Sequence, residues 1–330
     1  MLSLQQIQNF SIIDLIKAGS YSSVYKAEDK NGHHFAIKIL EAEAKKPKKT
    51  LSIFRSTKPF KEGKILAMLQ KVAGVPKLFF YGKNPDISSN MIVTELLDKD
   101  LGVLYNERKA FPKEFICSLA EKLITILEEI HRKNVIHRDL KPDNILMKGE
   151  EIFLTDFGLS KIEKKKASKK PKKPQFVGNL KYASIDSHFG NNISKKDDLE
   201  SLGYVLMNFL LGHLPWEKIN SNDLNEKIEK IGKRKQFFLE NELESLPRRV
   251  AQYFSYVKTL KNHDAVDYTL LKNIWVLYAG ENDKNEEKIR ICEKSADKVT
   301  ENKTLSISKD AGSDNDFLRD EGFFENFQKT

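Results

Sequence analysis

The chain has 330 residues, 40% of them hydrophobic and 31% charged, a balance that sets aside low-complexity disorder and leaves room for one large core or two lobes. Its two cysteines, Cys117 and Cys292, lie far apart with no Cys or His at ligand spacing, which excludes a disulfide framework and a zinc site. The formal charge of +9 is uneven: residues 279–330 are net acidic, so the preceding chain is more basic than the total and favours acidic partners.

Met1 to Asp14 lacks the basic start and apolar stretch of a signal peptide, and the longest apolar run, Tyr204 to Leu211, is too short to span a bilayer. A soluble, monomeric protein is expected, cytoplasmic and with nuclear entry left open. Phe10 to Lys17 and Ser23 to Glu28 read as strands around a Gly-containing turn. Asn31-Gly32 is a hairpin signal ahead of a third strand at Phe35 to Leu40. A helix over Phe60 to Leu69 carries Ile65, Leu66 and Leu69 on one face, and a strand over Met91 to Leu97 follows. Beyond it the pattern turns helical: Phe115, Leu119, Leu123, Ile126 and Ile130 recur at helical spacing, and a second apolar helix runs from Asp198 to Leu210.

This order predicts an α+β fold of two lobes. Residues 1–97 form a small sheet lobe with one helix and a hinge, and residues 98–278 form a larger helical lobe. Residues 279–330 are expected to be an acidic, disordered tail, because branched apolar residues are scarce there until Phe317. No internal repeat is visible.

The chemistry is concentrated in His137-Arg138-Asp139-Leu140-Lys141-Pro142-Asp143-Asn144 and Thr155-Asp156-Phe157-Gly158. This order of residue types suits phosphoryl transfer from ATP. Asp139 can orient a substrate hydroxyl and accept its proton, and Lys141 can screen the moving phosphoryl group. Asn144 and Asp156 can hold Mg2+ between the β- and γ-phosphates. Lys38, in Ala36-Ile37-Lys38, can reach the α- and β-phosphates with Glu62 as its counterion. Gly19 is the one glycine of a nucleotide-covering loop, Lys17 to Ser22, where three are usual, so poorer phosphate contact is expected, with Tyr21 shielding the tip.

Over residues 10 to 278 the chain resembles the casein kinase I family of Ser/Thr protein kinases. The resemblance is carried by Tyr182-Ala183-Ser184-Ile185-Asp186-Ser187-His188, by Asp197 to Met207, by Leu214-Pro215-Trp216 and by Asp267-Tyr268. It implies the two-lobed protein kinase fold, Mg-ATP as cofactor, and acidic or phosphorylated protein substrates. It also implies that Asp198 braces the catalytic-loop backbone, and that His137, Phe157 and Leu66 pack between the lobes. Thr94, with Glu95 and Leu97 of the hinge, would border the adenine, in a pocket deeper than the Met usual in the family allows. Two anion pockets correspond here to Arg138 with Lys161 and to Lys181 with Lys227.

Asp186 departs from the family's Asn, and Lys261 is its expected partner. The lysine run within Lys161 to Lys173 is expected beside the substrate groove, although a nucleic-acid patch or nuclear import signal stays open, as does a solvated loop. The cluster Lys45 to Lys49 reads as a solvated loop. With Ser168 as the sole hydroxyl among the lysines, activity without activation-segment phosphorylation is expected. Ser306, Ser308 and Ser313, with the aromatic end at Phe317 to Phe327, suggest a tail that folds back on the basic cleft. The glycine-poor loop leaves one alternative: a feebly active, kinase-fold scaffold that grips acidic partners or nucleic acid.

Overall fold

The computed structural model describes residues 6–7, 9–19, 22–40, 60–84, 89–163 and 175–281. Tyr21, the lysine runs at 45–49 and 164–173, Ser168 and the tail from residue 282 lie outside them. Among the described residues, six strands form an antiparallel sheet in the order β1-β2-β3-β4-β6-β5: β1 (Gln6–Ile7), β2 (Phe10–Ala18), β3 (Ser22–Asp29), β4 (His34–Leu40), β5 (Leu78–Asn84) and β6 (Ser89–Glu95). The turn from β3 to β4 is built as its residues dictate. Asp29 Oδ1 accepts the N–H groups of Asn31 and His33 at 2.8 and 2.9 Å, and Gly32 takes the left-handed φ of 82°.

Side chains alternate across a strand, so β4 serves two faces. Ile37 is buried with Ala27, Met91 and Val93 in a small core on one side, while Ala36, Lys38 and Leu40 line a cleft on the other. The pairing of β4 with β6 sets Ala36 opposite Thr94 and Lys38 opposite Ile92. β5 was not foreseen, and β6 stops at Glu95, leaving Leu96 and Leu97 as connection rather than strand.

Helix α1 (Lys61–Leu69) packs under β5. Gly63 permits the contact, since a Cβ there would come within 2.5 Å of the Tyr81 ring. The helical lobe follows with α2 (Leu101–Arg108), α3 (Lys113–Arg132), α4 (Ile185–His188), α5 (Lys195–Leu211), α6 (Leu224–Asn241), α7 (Arg248–Thr259) and α8 (Tyr268–Ala279). Two short ribbons lie in this lobe, β7 (Val135–Ile136) with β10 (Lys161–Ile162) and β8 (Ile145–Lys148) with β9 (Glu151–Leu154), and Leu146 of β8 lines the cleft. One continuous core joins Ile65, Leu66 and Leu69 of α1 to α3, α5, α7 and α8.

Helix starts are capped where the sequence offers oxygen acceptors. Asp100, Asp223 and Asp267 accept from the third residue beyond, and Ser194 with Asp197 forms a reciprocal capping box on α5. That box matters because α5 is buried along most of its length and carries Asp198 in its first turn. The α+β, two-lobed expectation holds. The expected pair of Asp186 with Lys261 does not: Asp186 Oδ2 meets Lys196 Nζ at 2.6 Å and its Oδ1 accepts from Asn191, and Lys261 forms no ion pair with it among the described residues. Lys196 lies one residue into α5, beside the short helix that carries Asp186, so it reaches the carboxylate first.

Candidate active site

A cleft of about 970 Å³ runs between the lobes, from Thr94 and the β4 face past Asp139 to Lys181 and Lys227. Lys38 stands at its centre, donating to Glu62 Oε1 and Oε2 at 2.9 and 3.0 Å and to Asp156 Oδ1 at 2.8 Å. Burial disfavours the Lys38 ammonium, but the two carboxylates outweigh it and hold its pKa above the ordinary lysine value. Burial also holds Glu62 above its usual range despite Lys38, whereas Lys38 and Lys141 overcome burial at Asp156 and hold it well below.

The loop after β7 brings the next groups in. Lys141 Nζ donates to Asp139 Oδ2 at 2.8 Å, and Asn144 Nδ2 donates to Asp139 O at 2.8 Å and Oδ2 at 3.1 Å. With its NH2 turned to Asp139, Asn144 presents its amide oxygen on the other side. That oxygen and the Asp156 carboxylate are hard donors of the kind Mg2+ takes alongside nucleotide phosphates, and no cluster of three His, Cys, Asp or Glu exists among the described residues to form an all-protein cage. The donor set therefore fits a metal that arrives with a nucleotide.

The loop is braced from beneath. Asp198 Oδ2 accepts the His137 N–H at 2.7 Å and faces His131 Nε2 at 2.8 Å, while Oδ1 accepts the Arg138 N–H at 2.8 Å. His131 Nδ1 lies 2.7 Å from the Tyr268 hydroxyl, which extends the chain to α8. The His137 ring is fully buried, 5.0 Å from that of Phe157, and Leu66 belongs to the same core.

At the hinge, Thr94 lines the cleft with Ile92 and Leu66, and Leu97 borders it. The Glu95 side chain turns elsewhere, to the Lys77 N–H at 2.7 Å and Lys148 Nζ at 2.6 Å, so its contribution to the cleft wall is backbone. The Gly19 N–H closes a turn on Ser22 O at 2.8 Å, and Lys17 reaches Asp143 at 3.4 Å.

The family model for the protein kinase domain matches residues 10–274. This chain belongs to the protein kinase family. In the kinase, the two expected anion pairs fare differently. Pairing of β10 with β7 sets Lys161 opposite Ile136, two residues before Arg138, and the Arg138 Nε donates to Leu159 O at 2.7 Å. Lys61, at the start of α1, joins them and was missed by sequence reasoning. Its pKa falls to about 8 through burial and the nearby charges of Arg138 and Lys161, and burial with Arg138 lowers Lys161 in turn. Among the described residues, none of the three side-chain cations forms an ion pair with a carboxylate within 4 Å. Lys181, by contrast, is bound to Glu217 at 2.6 Å, and Lys227 donates to Asn220 Oδ1 at 3.3 Å; both face the cleft, each already engaged.

Proposed function

We propose that the chain is a Mg-ATP-dependent Ser/Thr kinase, casein kinase I-like, acting on acidic or already phosphorylated proteins. The observation that carries the substrate class is the trio Lys61, Arg138 and Lys161, three cations drawn together beside the catalytic loop with no carboxylate in contact among the described residues. Burial lowers the pKa of all three, and mutual repulsion adds to it at the two lysines, until an anion joins them. In this reading Asp139 accepts the hydroxyl proton and Lys141 neutralises the transferred phosphoryl group. Lys38, held by Glu62, orients the α- and β-phosphates, and Asn144 and Asp156 hold the metal. Mg2+ held by Asn144 and Asp156 would supply positive charge to offset that of the phosphates. Thr94 and the Glu95 and Leu97 backbone border the adenine, and Gly19 lies over the phosphates. Lys181 and Lys227 would serve a second anion only after release from Glu217 and Asn220.

Phosphate transfer from Mg-ATP to casein and to an acidic, phospho-primed peptide tests the proposal, with Asp139→Asn as control. Transfer should be lost in the variant, and the preference for the primed peptide should fall steeply with salt. Efficient use of unprimed basic peptides would overturn the substrate class. Absence of ATP capture would favour the partner-gripping scaffold, whose support is the loop with Lys17 and Ser22 where glycines are usual.

A further inference from the structure

The segment from Phe176 to Ala183 runs over the catalytic loop with neither helix nor strand hydrogen bonds of its own beyond a turn at Asn179, so its carbonyls must find donors elsewhere. Trp216 Nε1 donates to Lys181 O at 2.8 Å. Ser187 Oγ donates to Val177 O, and Lys235 of α6 serves two more: its Nζ donates to Ala183 O at 2.6 Å and Leu180 O at 3.1 Å, and lies 3.2 Å from His188 Nε2. His188 Nδ1 is 2.9 Å from Ile228 O, which can only accept. Nδ1 therefore carries the ring proton and Nε2 presents a lone pair. Three acceptors around one nitrogen require three N–H donors, which is the ammonium form. The rings of Tyr204 and Trp216, with centroids at 4.9 and 5.1 Å, face the same cation.

Lys235 is 0% exposed and forms no salt bridge within 4 Å among the described residues. Burial pushes its pKa well below the ordinary lysine value, opposed by the charge of Glu200. The acceptor cage and the two rings are what stabilise the charge there. A buried cation is expensive where Leu or Met would fill the same space, so its position invites explanation by what it holds. The backbone it holds borders the reactive carboxylate. In the same segment Gly178, at φ 102°, passes so close that a Cβ would meet Arg138 O at 2.8 Å and Asp139 Oδ1 at 3.8 Å. Gly232, one turn before Lys235, brings α6 in: a Cβ there would lie 2.8 Å from His188 Cβ.

We propose that Lys235 is a positioning residue for the protein substrate, its ammonium fixing the backbone from Leu180 to Ala183 that walls the cleft beside Asp139. It acts on the acceptor end of the cleft. Its Nζ bonds to Leu180, Ala183 and His188 and to none of Lys38, Glu62, Thr94 or Asp156, so the nucleotide end is reached only indirectly. The effect on transfer rests on the chain being an active kinase; the effect on the backbone does not.

The test compares wild type with Lys235→Met, which keeps the length and packing and removes the donors, and with Lys235→Arg, which restores charge. In Lys235→Met the KM for protein substrate should rise about tenfold with the KM for ATP unchanged, the size expected when one net hydrogen bond's worth of positioning is lost. Amide exchange between Lys181 and Ser184 should quicken in the same variant while that of β4 does not, and Lys235→Arg should recover part of both. Equal protein KM and equal exchange would overturn the proposal, as would a parallel loss at the ATP and protein ends. Should Lys235→Met fail to fold, Lys235→Gln, with two N–H donors and no charge, replaces it, and the same outcomes support or overturn the proposal. A wild type that transfers no phosphate would sink the functional proposal, and the exchange comparison alone would then decide this one.

Discussion

Asp198 Oδ1 accepts the backbone N–H of Arg138 at 2.8 Å, at a residue whose φ of 69° lies in the left-handed region. A non-glycine residue there costs about 1–2 kcal/mol, which the buried carboxylate offsets by satisfying two consecutive backbone donors. Asp198→Ala would leave those donors and the Nε2 of His131 unpaired in the interior. It should lower unfolding free energy by about 3–5 kcal/mol and depress transfer even where the protein stays folded. Denaturant titration with activity at matched folded fraction checks this; an unchanged midpoint would remove Asp198 from the bracing role.

Lys61 carries a pH prediction. Its pKa in the fold, about 8, is below the ordinary lysine value of 10.5, so its charge is lost as pH rises through about 8, before that of a free lysine. A bound anion needs that charge, so anion affinity should fall across this window. Sulfate, whose own charge is constant there, is the suitable ligand for calorimetry. Lys61→Met should abolish the pH step and reduce the preference for primed over unprimed peptide by about fivefold, the size of a partly exposed charge-assisted contact. A step that survives in Lys61→Met would assign it to another group.

The pairing of Asp186 with Lys196 predicts thermodynamic coupling. Asp186→Ala and Lys196→Ala should be non-additive by about 0.5–1 kcal/mol in a double-mutant cycle, because both side chains are largely shielded from water. Lys261→Ala should be additive with Asp186→Ala. Coupling seen for Lys261 and not for Lys196 would reverse the assignment.

Thr94 lines the cleft beside Ile92 and Leu66. Thr94→Met adds volume there and should cost inhibitors with a bulky group aimed at that wall about tenfold or more in potency, with little effect on the KM for ATP. Equal potency in a dose–response comparison would mean that the wall lies elsewhere.

How much of this was legible before the fold was known depends on whether a residue's role is local. The strands around Gly32, the α3 periodicity and the loop from His137 to Asn144 announce themselves within a few positions, and the structure has them close to the expected bounds. β5 was missed because Gly82, Lys83 and Asn84 follow its Leu-Phe-Phe-Tyr run, which itself shows no alternation of apolar and polar residues. Lys61 looks like any solvated lysine at a helix start; its meaning arises only when β10 pairs with β7 and α1 lies against the turn of Phe157 to Leu159 that precedes β10. Lys235 did leave a trace. It falls on the apolar stripe of Ile228, Ile231 and Phe238, a charged residue where the helical period asks for an apolar one. Lys196 lost to Lys261 because two lysines far apart in sequence compete for one carboxylate, and sequence order does not rank distances.

Gly63 couples two sites through a missing methyl group. Lys61 and Glu62 ride on the turn of α1 whose approach to Tyr81 depends on that bare position, one belonging to the cationic trio with Arg138 and Lys161 and the other to the Lys38 pair. Bulk added at 63 would lever the whole turn outward and loosen both ends together, so graded volume at a residue that touches neither nucleotide nor peptide would act as a rheostat for the enzyme.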